Sequence, residues 1–242
     1  MINPNLVSGA KSLKEPYNSQ LPFPHLVFDN FLDETVAYNI SHELKYLSDN
    51  MEEEEWRFND KDHHKDQVSK RSITVLNNML PISNVVSQYV NNPEFLTFIR
   101  ELTGMDELVG DWTFNGGGVH ITPKGGSLNV HHDFNFLGDK DNPELYRKIN
   151  LLIYLNEEWE DEWNGNLELW EKDLSSMTHS ITPKFNRAVI FNIEDAPHGH
   201  PSPLECPEGE SRRSLAYYFY DKLPVTNGLK ERAYWKEGDE LL

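Results

Sequence analysis

The sequence predicts an α+β fold, mainly β, in which N-terminal helices flank an antiparallel sandwich or barrel. Three observations lead there. Helical spacing is confined to the first part of the chain, roughly 33–104. From about residue 108 to 220 the texture changes to short β-branched and aromatic segments cut by glycine and proline. No repeat, low-complexity tract or linker interrupts the 242 residues, so one domain spanning 1–242 is expected.

Taken in order, "PFPHLVFDNFL" (22–32) is strand-like. Asp33 then suits a helix cap, and Val36, Ile40, Leu44 and Leu47 follow on one face. The stretch 48–71, "SDNMEEEEWRFNDKDHHKDQVSKR", has no periodicity and is expected to be a long mobile loop that could act as a lid. Its His63 and His64 lie among charges and are expected to be solvated. "NNPEFLTFIRELTG" is a well-punctuated helix, with Asn92 as cap, Pro93 at the first position and Gly104 as the stop. Seven strand-like segments follow: "DWTF", "GGVHIT", "SLNVHHDF", "KINLLIYLN", "NLELW", "RAVIFNI" and "RRSLAYYFY", the second and third joined by "PKGG" as a hairpin would require.

Composition narrows the function classes. Hydrophobic residues make up 38% of the chain, mean hydropathy is −0.64, and no apolar run is long enough to span a membrane. Forty acidic against 22 basic residues leave a net charge of −18, which repels nucleic acid and anionic membranes and favours a basic partner, or serves only solubility. The absence of a secretory signal at the start and the single Cys206, which excludes an internal disulfide, point to the cytoplasm.

The chemistry begins at "NVHHDFN" (129–135). Residues i and i+2 of a strand share a face, so His131 and Asp133 project together while His132 faces away. One imidazole and one carboxylate are two thirds of a facial triad, which binds Fe(II) with two histidines and a carboxylate and leaves positions open. The third ligand should come from a later strand. His179 sits in a polar stretch and is expected to be solvated, whereas "FNIEDAPHGHPSPL" offers His198 and His200 directly after an apolar strand. In "SRRSLAYYFY", alternation places Arg212, Ser214, Ala216 and Tyr218 on one face, with room for a ligand beside Arg212. An arginine next to a hydroxyl suits a carboxylate. Arg213 falls on the other face and is expected to be a surface arginine.

These motifs, His-x-Asp, a later histidine and then Arg-x-Ser, resemble those of the 2-oxoglutarate and Fe(II)-dependent oxygenases of the prolyl-hydroxylase type, over residues 108 to 220. The upstream "PFPHLVFDNFLDETVAYNISHEL" is similar to the opening of the ribosomal-protein prolyl hydroxylases. The resemblance implies a double-stranded β-helix core (a jelly-roll, cupin-like). It implies metal ligands at His131, Asp133 and His198, leaving His200 a structural or supporting role. It also implies a grip on the far carboxylate of 2-oxoglutarate by Arg212 with Ser214 and Tyr154, and Asn150 bordering the site. The cofactors implied are Fe(II), 2-oxoglutarate and O2, with ascorbate as a further candidate. The expected reaction is hydroxylation of a C–H bond, on a prolyl residue of a protein or peptide, yielding succinate and CO2. Two departures bear on the substrate: collagen-type enzymes carry a lysine where this chain has Arg212, and His120 stands where related enzymes have a tyrosine. The competing expectations are a hydroxylase of a free amino acid or other small metabolite, and a cupin-like metal-binding module without catalysis.

Overall fold

The computed structural model describes residues 1–50, 57–58, 66–74 and 78–235. Two antiparallel sheets form a double-stranded β-helix. Along the major sheet the strands run His25–Phe28, Arg187–Asn192, Asn142–Tyr154, Ser211–Asp221, Gly118–Pro123, Arg71–Ile73 and Arg57–Phe58. The minor sheet runs Met177–Ile181, Leu167–Trp170, His198–His200, Ser127–His132 and Tyr234–Trp235, with Gln67–Val68 also paired to Ser127–His132.

Alternation along the long central strands organises the interior. Ile149, Leu151, Ile153, Leu215, Tyr217 and Phe219 face the helices and pack in one cluster with Ile40, Leu44, Val86, Phe95 and Phe98. Tyr154, Val189 and Phe191 face the other way and meet Leu167, Leu169 and Ile181 of the minor sheet. The space between the sheets is thus sealed by apolar contacts at one end, and the polar residues of the strands line the remainder.

Several expected elements are present with their reasons. Asp33 Oδ1 accepts from the backbone N–H groups of Thr35 (3.1 Å) and Val36 (3.2 Å), opening the helix Glu34–Asn50, which buries Ile40, Leu44 and Leu47. Asn92 Oδ1 accepts from Phe95 N at 2.9 Å, and Gly104 closes the helix Pro93–Thr103 in the left-handed conformation at φ 77°.

Other expectations are corrected. "PKGG" turns the chain without making a hairpin: Gly118–Pro123 belongs to the major sheet and Ser127–His132 to the minor, so the turn carries the chain across the sandwich. "DWTF" is not a strand, because Asp111 folds it into a loop by accepting from the backbone of Thr113 and Asn115. Of the stretch 48–71, the described part is not a loop throughout: the helix continues to Asn50, and Gln67–Val68 and Arg71–Ile73 are strands. His63 and His64 lie outside the described residues. Short helices at Pro4–Gly9, Lys14–Asn18 and Pro81–Tyr89 extend the support beyond the periodic segments.

Candidate metal and co-substrate site

His131 is the penultimate residue of the strand Ser127–His132, and His198 opens the strand His198–His200 paired with it, so the two face each other directly across the ladder. Their ring centroids lie 4.7 Å apart. That pairing demands a close backbone approach at Gly199, where a Cβ would come within 2.7 Å of the Asn129 carbonyl oxygen. Asp133 follows the strand end and completes the group. Its Oδ1 is 3.4 Å from His131 Nε2 and its Oδ2 is 3.5 Å from His198 Nε2. One ligand atom from each of the three residues lies within 4.8 Å of the others.

Hydrogen bonding sets the tautomers. His131 Nδ1 is 2.8 Å from the Asn129 carbonyl, and His198 Nδ1 is 2.9 Å from the Ala196 carbonyl. A carbonyl only accepts, so both Nδ1 atoms carry the proton and both Nε2 lone pairs are free to bind a metal. Burial pushes His198 down to about 4, with the charge of Asp133 opposing, so this imidazole is neutral as a ligand must be. Burial alone would raise the carboxyl pKa of Asp133, yet Arg147, His198 and His131 around it hold it well below the usual range.

Arg147 is a functional neighbour that the sequence did not reveal. Its side chain is 1% exposed, and it donates to Asp133 Oδ2 at 2.8 Å and through Nε to Asn150 Oδ1 at 2.9 Å. Asn150 Nδ2 also donates to Asp133 Oδ2 at 2.8 Å. Both donors use the same oxygen, which leaves Oδ1 for a metal. Strict alternation would put Arg147 on the helix side with Ile149 and Leu151. The register with the neighbouring strand slips by one residue here (Phe219 opposite Ile149, Tyr220 opposite Arg147), and this irregularity turns Arg147 inward. Its guanidinium then lies 3.3 Å from the ring centroid of Tyr218.

Behind the triad lies an inner pocket lined by His120, Thr122, Asn150, His200, Arg212 and Ser214, among others. Arg212 is 6% exposed, and its Nε donates to the Gly165 carbonyl at 2.7 Å, which aims the fork into the pocket. Its guanidinium carbon stands 4.8 Å from the Tyr154 ring centroid. Tyr154 therefore packs against Arg212, and its buried hydroxyl has no well-formed hydrogen bond. Among the described residues no carboxylate pairs with Arg212. A buried, unpaired guanidinium is costly unless an anion occupies the pocket, and a ligand carboxylate fits that need. Burial holds His120 and His200 well below the usual imidazole range, so neither adds a cation. His200 lines this pocket next to Arg212 rather than joining the metal group.

Three expectations about neighbouring residues change or hold. Arg213 is no surface residue: it is 5% exposed on an interior strand and pairs with Glu210 at 3.3 Å. His179 is half-buried on the strand Met177–Ile181, its ring edge-on to His25 at 4.8 Å. His132 does face away from the metal group, paired opposite Tyr234. Outside the triad a cleft of about 720 Å³ opens between Lys70, Asn115, Phe134, Leu137, Arg232 and Trp235. The Trp235 ring rests 4.8 Å from that of His131, so the C-terminal strand forms one wall of the entrance.

Comparison with known proteins agrees with this geometry. Residues 117–220, which carry the triad and Arg212, match the model of the 2OG-Fe(II) oxygenase superfamily. A prolyl-4-hydroxylase from Pseudomonas putida superposes with a TM-score of 0.60 at 16% identity, covering 88% of this chain and 99% of its own. A prolyl hydroxylase from Trichoplax adhaerens, solved with a hypoxia inducible factor peptide fragment, gives 0.61 at 16% identity over 90% and 94%. HygX from Streptomyces hygroscopicus, solved with nickel, 2-oxoglutarate and hygromycin B, gives 0.52 at 13% identity over 85% and 84%. At such identities the likeness speaks for the fold alone. No curated protein matches the sequence. Among the described residues no helix is long and apolar enough to cross a membrane.

Proposed function

We propose that the chain is a 2-oxoglutarate- and Fe(II)-dependent dioxygenase that hydroxylates a prolyl residue of a protein or peptide. The observation that carries the oxygenase reading is the pairing of two features in one cavity: three convergent metal ligands, and a buried arginine without a counter-ion among the described residues. A cupin-like module that merely binds metal would have no use for the second.

His131, Asp133 and His198 would hold the iron, and Arg212 with Ser214 the far carboxylate of 2-oxoglutarate. When bound, metal and co-substrate supply the oxidation: dioxygen is divided between the substrate hydroxyl and succinate, and CO2 leaves. The chain's own residues do the rest. The Asn129 and Ala196 carbonyls fix the two imidazoles, while Arg147 and Asn150 orient Asp133 by holding one oxygen. The apolar contacts of Leu167, Leu169, Val189 and Phe191 close the sandwich to water at its far end. Ascorbate would act only in upkeep of the iron.

A polypeptide substrate is supported by the breadth of the outer cleft and by the prolyl-hydroxylase folds among the structural neighbours, one of them holding a peptide. The net charge of −18 favours a basic target reached in the cytoplasm. The described charged residues lining the cleft are Lys70, Asp133, Glu231 and Arg232, so any attraction to a basic target arises over the wider surface. A small-molecule substrate is the second reading, supported by the fold shared with HygX, which was solved with hygromycin B. A turnover assay that compares proline-containing basic peptides with free proline separates the two. A mass gain of one oxygen on a peptide, coupled to succinate, is the expected result; succinate formed only with the free amino acid overturns it.

A further inference from the structure

Lys70 is a residue that neither the metal group nor the Arg212 anchor uses. Its backbone position is unusual. Gln67–Val68 pairs with Ser127–Leu128 of the minor sheet, while Arg71–Ile73 pairs with Val119–Ile121 of the major sheet. Residues Ser69 and Lys70 therefore cross the slot between the sheets, with Ser69 in the left-handed region at φ 54° to make the step. The crossing delivers the Lys70 side chain to the neck between the two cavities, where it lines both the outer cleft and the inner pocket. Arg212 lines only the inner one.

Among the described residues the charges around this neck do not balance. Arg147 is matched by Asp133 at 2.8 Å. Among the described residues Arg212 has no carboxylate partner, and the Lys70 ammonium makes neither an ion pair nor a hydrogen bond. Of the charged groups that act on the Lys70 ammonium, Asp133 contributes most, followed by Arg212 and Arg147. Burial, the main cause, pushes this ammonium down to about 8, against the opposing charge of Asp133. Two unmatched cations thus stand at two ends of one cavity, Arg212 at the closed end and Lys70 at the metal end. A dicarboxylate carries two charges on a short chain and answers both.

We propose that Lys70 is a second anion-binding residue of the co-substrate site, holding the 2-oxo acid carboxylate of 2-oxoglutarate while Arg212 holds the distal one. The inference rests on the oxygenase reading and adds a contact from a crossing segment outside the residues 117–220 that the superfamily model covers. It assigns a role to part of the stretch 48–71 that has nothing to do with covering a polypeptide.

The test uses the full chain loaded with Mn(II), so that binding is read without turnover, and calorimetry with two ligands. 2-Oxoglutarate carries both carboxylates; 2-oxopentanoate keeps the 2-oxo acid end and lacks the distal carboxylate. Lys70→Met should weaken both ligands by about tenfold, the scale of one hydrogen bond to a charged group, while Lys70→Arg stays within a few-fold of the parent. Arg212→Ala should weaken 2-oxoglutarate and leave 2-oxopentanoate unchanged. In a thermal scan, Lys70→Met should show an undiminished midpoint without ligand and a smaller rise with 2-oxoglutarate, which separates lost binding from lost folding. Unchanged affinity of Lys70→Met for both ligands would overturn the proposal while Arg212→Ala still reports on the pocket. Loss confined to 2-oxoglutarate would place Lys70 at the wrong end and overturn it too. If Arg212→Ala also binds 2-oxoglutarate normally, the co-substrate reading itself fails.

Discussion

The strand Ser211–Asp221 is buried along its whole length, yet its two faces have different neighbours. Leu215, Tyr217 and Phe219 pack with the helices in the largest apolar cluster, where Phe219 stacks on Phe95 at 5.9 Å. Arg212, Ser214 and Tyr218 turn toward the pocket between the sheets. The strand Asn142–Tyr154 repeats the division, with Ile149, Leu151 and Ile153 on one side and Asn150 and Leu152 on the other. One face contributes the hydrophobic stabilisation that offsets the cost of the other, where the buried Arg212 has no carboxylate partner among the described residues. Stability and binding should therefore be separable by substitutions one residue apart.

The largest effect should fall on the helix face. Leu151 is fully buried, and Leu151→Ala should lower the unfolding free energy by about 2–5 kcal/mol in a urea titration. The folded variant should bind 2-oxoglutarate as the parent does. Loss of affinity in step with stability would mean that the two faces are coupled.

On the pocket face, Arg212→Ala should weaken 2-oxoglutarate binding by roughly 1.5–3 kcal/mol, the worth of a charge-assisted hydrogen bond. Arg213→Ala, one residue along and on the opposite face, should leave that affinity in place, because Arg213 answers Glu210 at 3.3 Å. Equal losses for the two would erase the distinction between the faces.

The rim of the sheet supplies the smallest effect. Arg187 pairs with Asp29 through two hydrogen bonds of 2.6 and 2.9 Å, but the Asp29 side chain is 59% exposed. Asp29→Asn should cost about 1 kcal/mol or less at neutral pH. The Arg187 hydrogen bonds hold the Asp29 carboxyl below its ordinary pKa. A lowered carboxylate contributes stability above the unfolded pKa and loses it as pH falls through the folded value. The difference between parent and variant should thus vanish in acid; a gap that widens there would contradict the sign.

What the sequence showed of all this depended on how local the cause was. The helix Pro93–Thr103 was legible because its cap, its proline and its terminal glycine all lie within the segment. His131 and Arg212 were legible because simple alternation holds at their positions, and Asp133, just past the strand end, still joins His131. Arg147 was not, since a one-residue slip against the neighbouring strand reverses its face and nothing in "LYRKIN" announces it. Lys70 was hidden for a related reason: its place follows from which sheets its two flanking strands join, a non-local pairing. The "PKGG" turn suggests a hairpin because a tight turn specifies reversal of the chain without specifying the sheet on which the next strand lands.

The account stands on His131, Asp133 and His198 as one metal site, with His132 and His200 outside it. Anaerobic calorimetric titration with Fe(II) tests this most directly. The parent, His132→Ala and His200→Ala should each bind one equivalent, whereas His131→Ala, Asp133→Ala and His198→Ala should show no such binding, with folding checked by circular dichroism. Retained binding in His198→Ala together with its loss in His200→Ala would contradict the assignment of the distal ligand, and with it the geometry from which the proposed chemistry is derived.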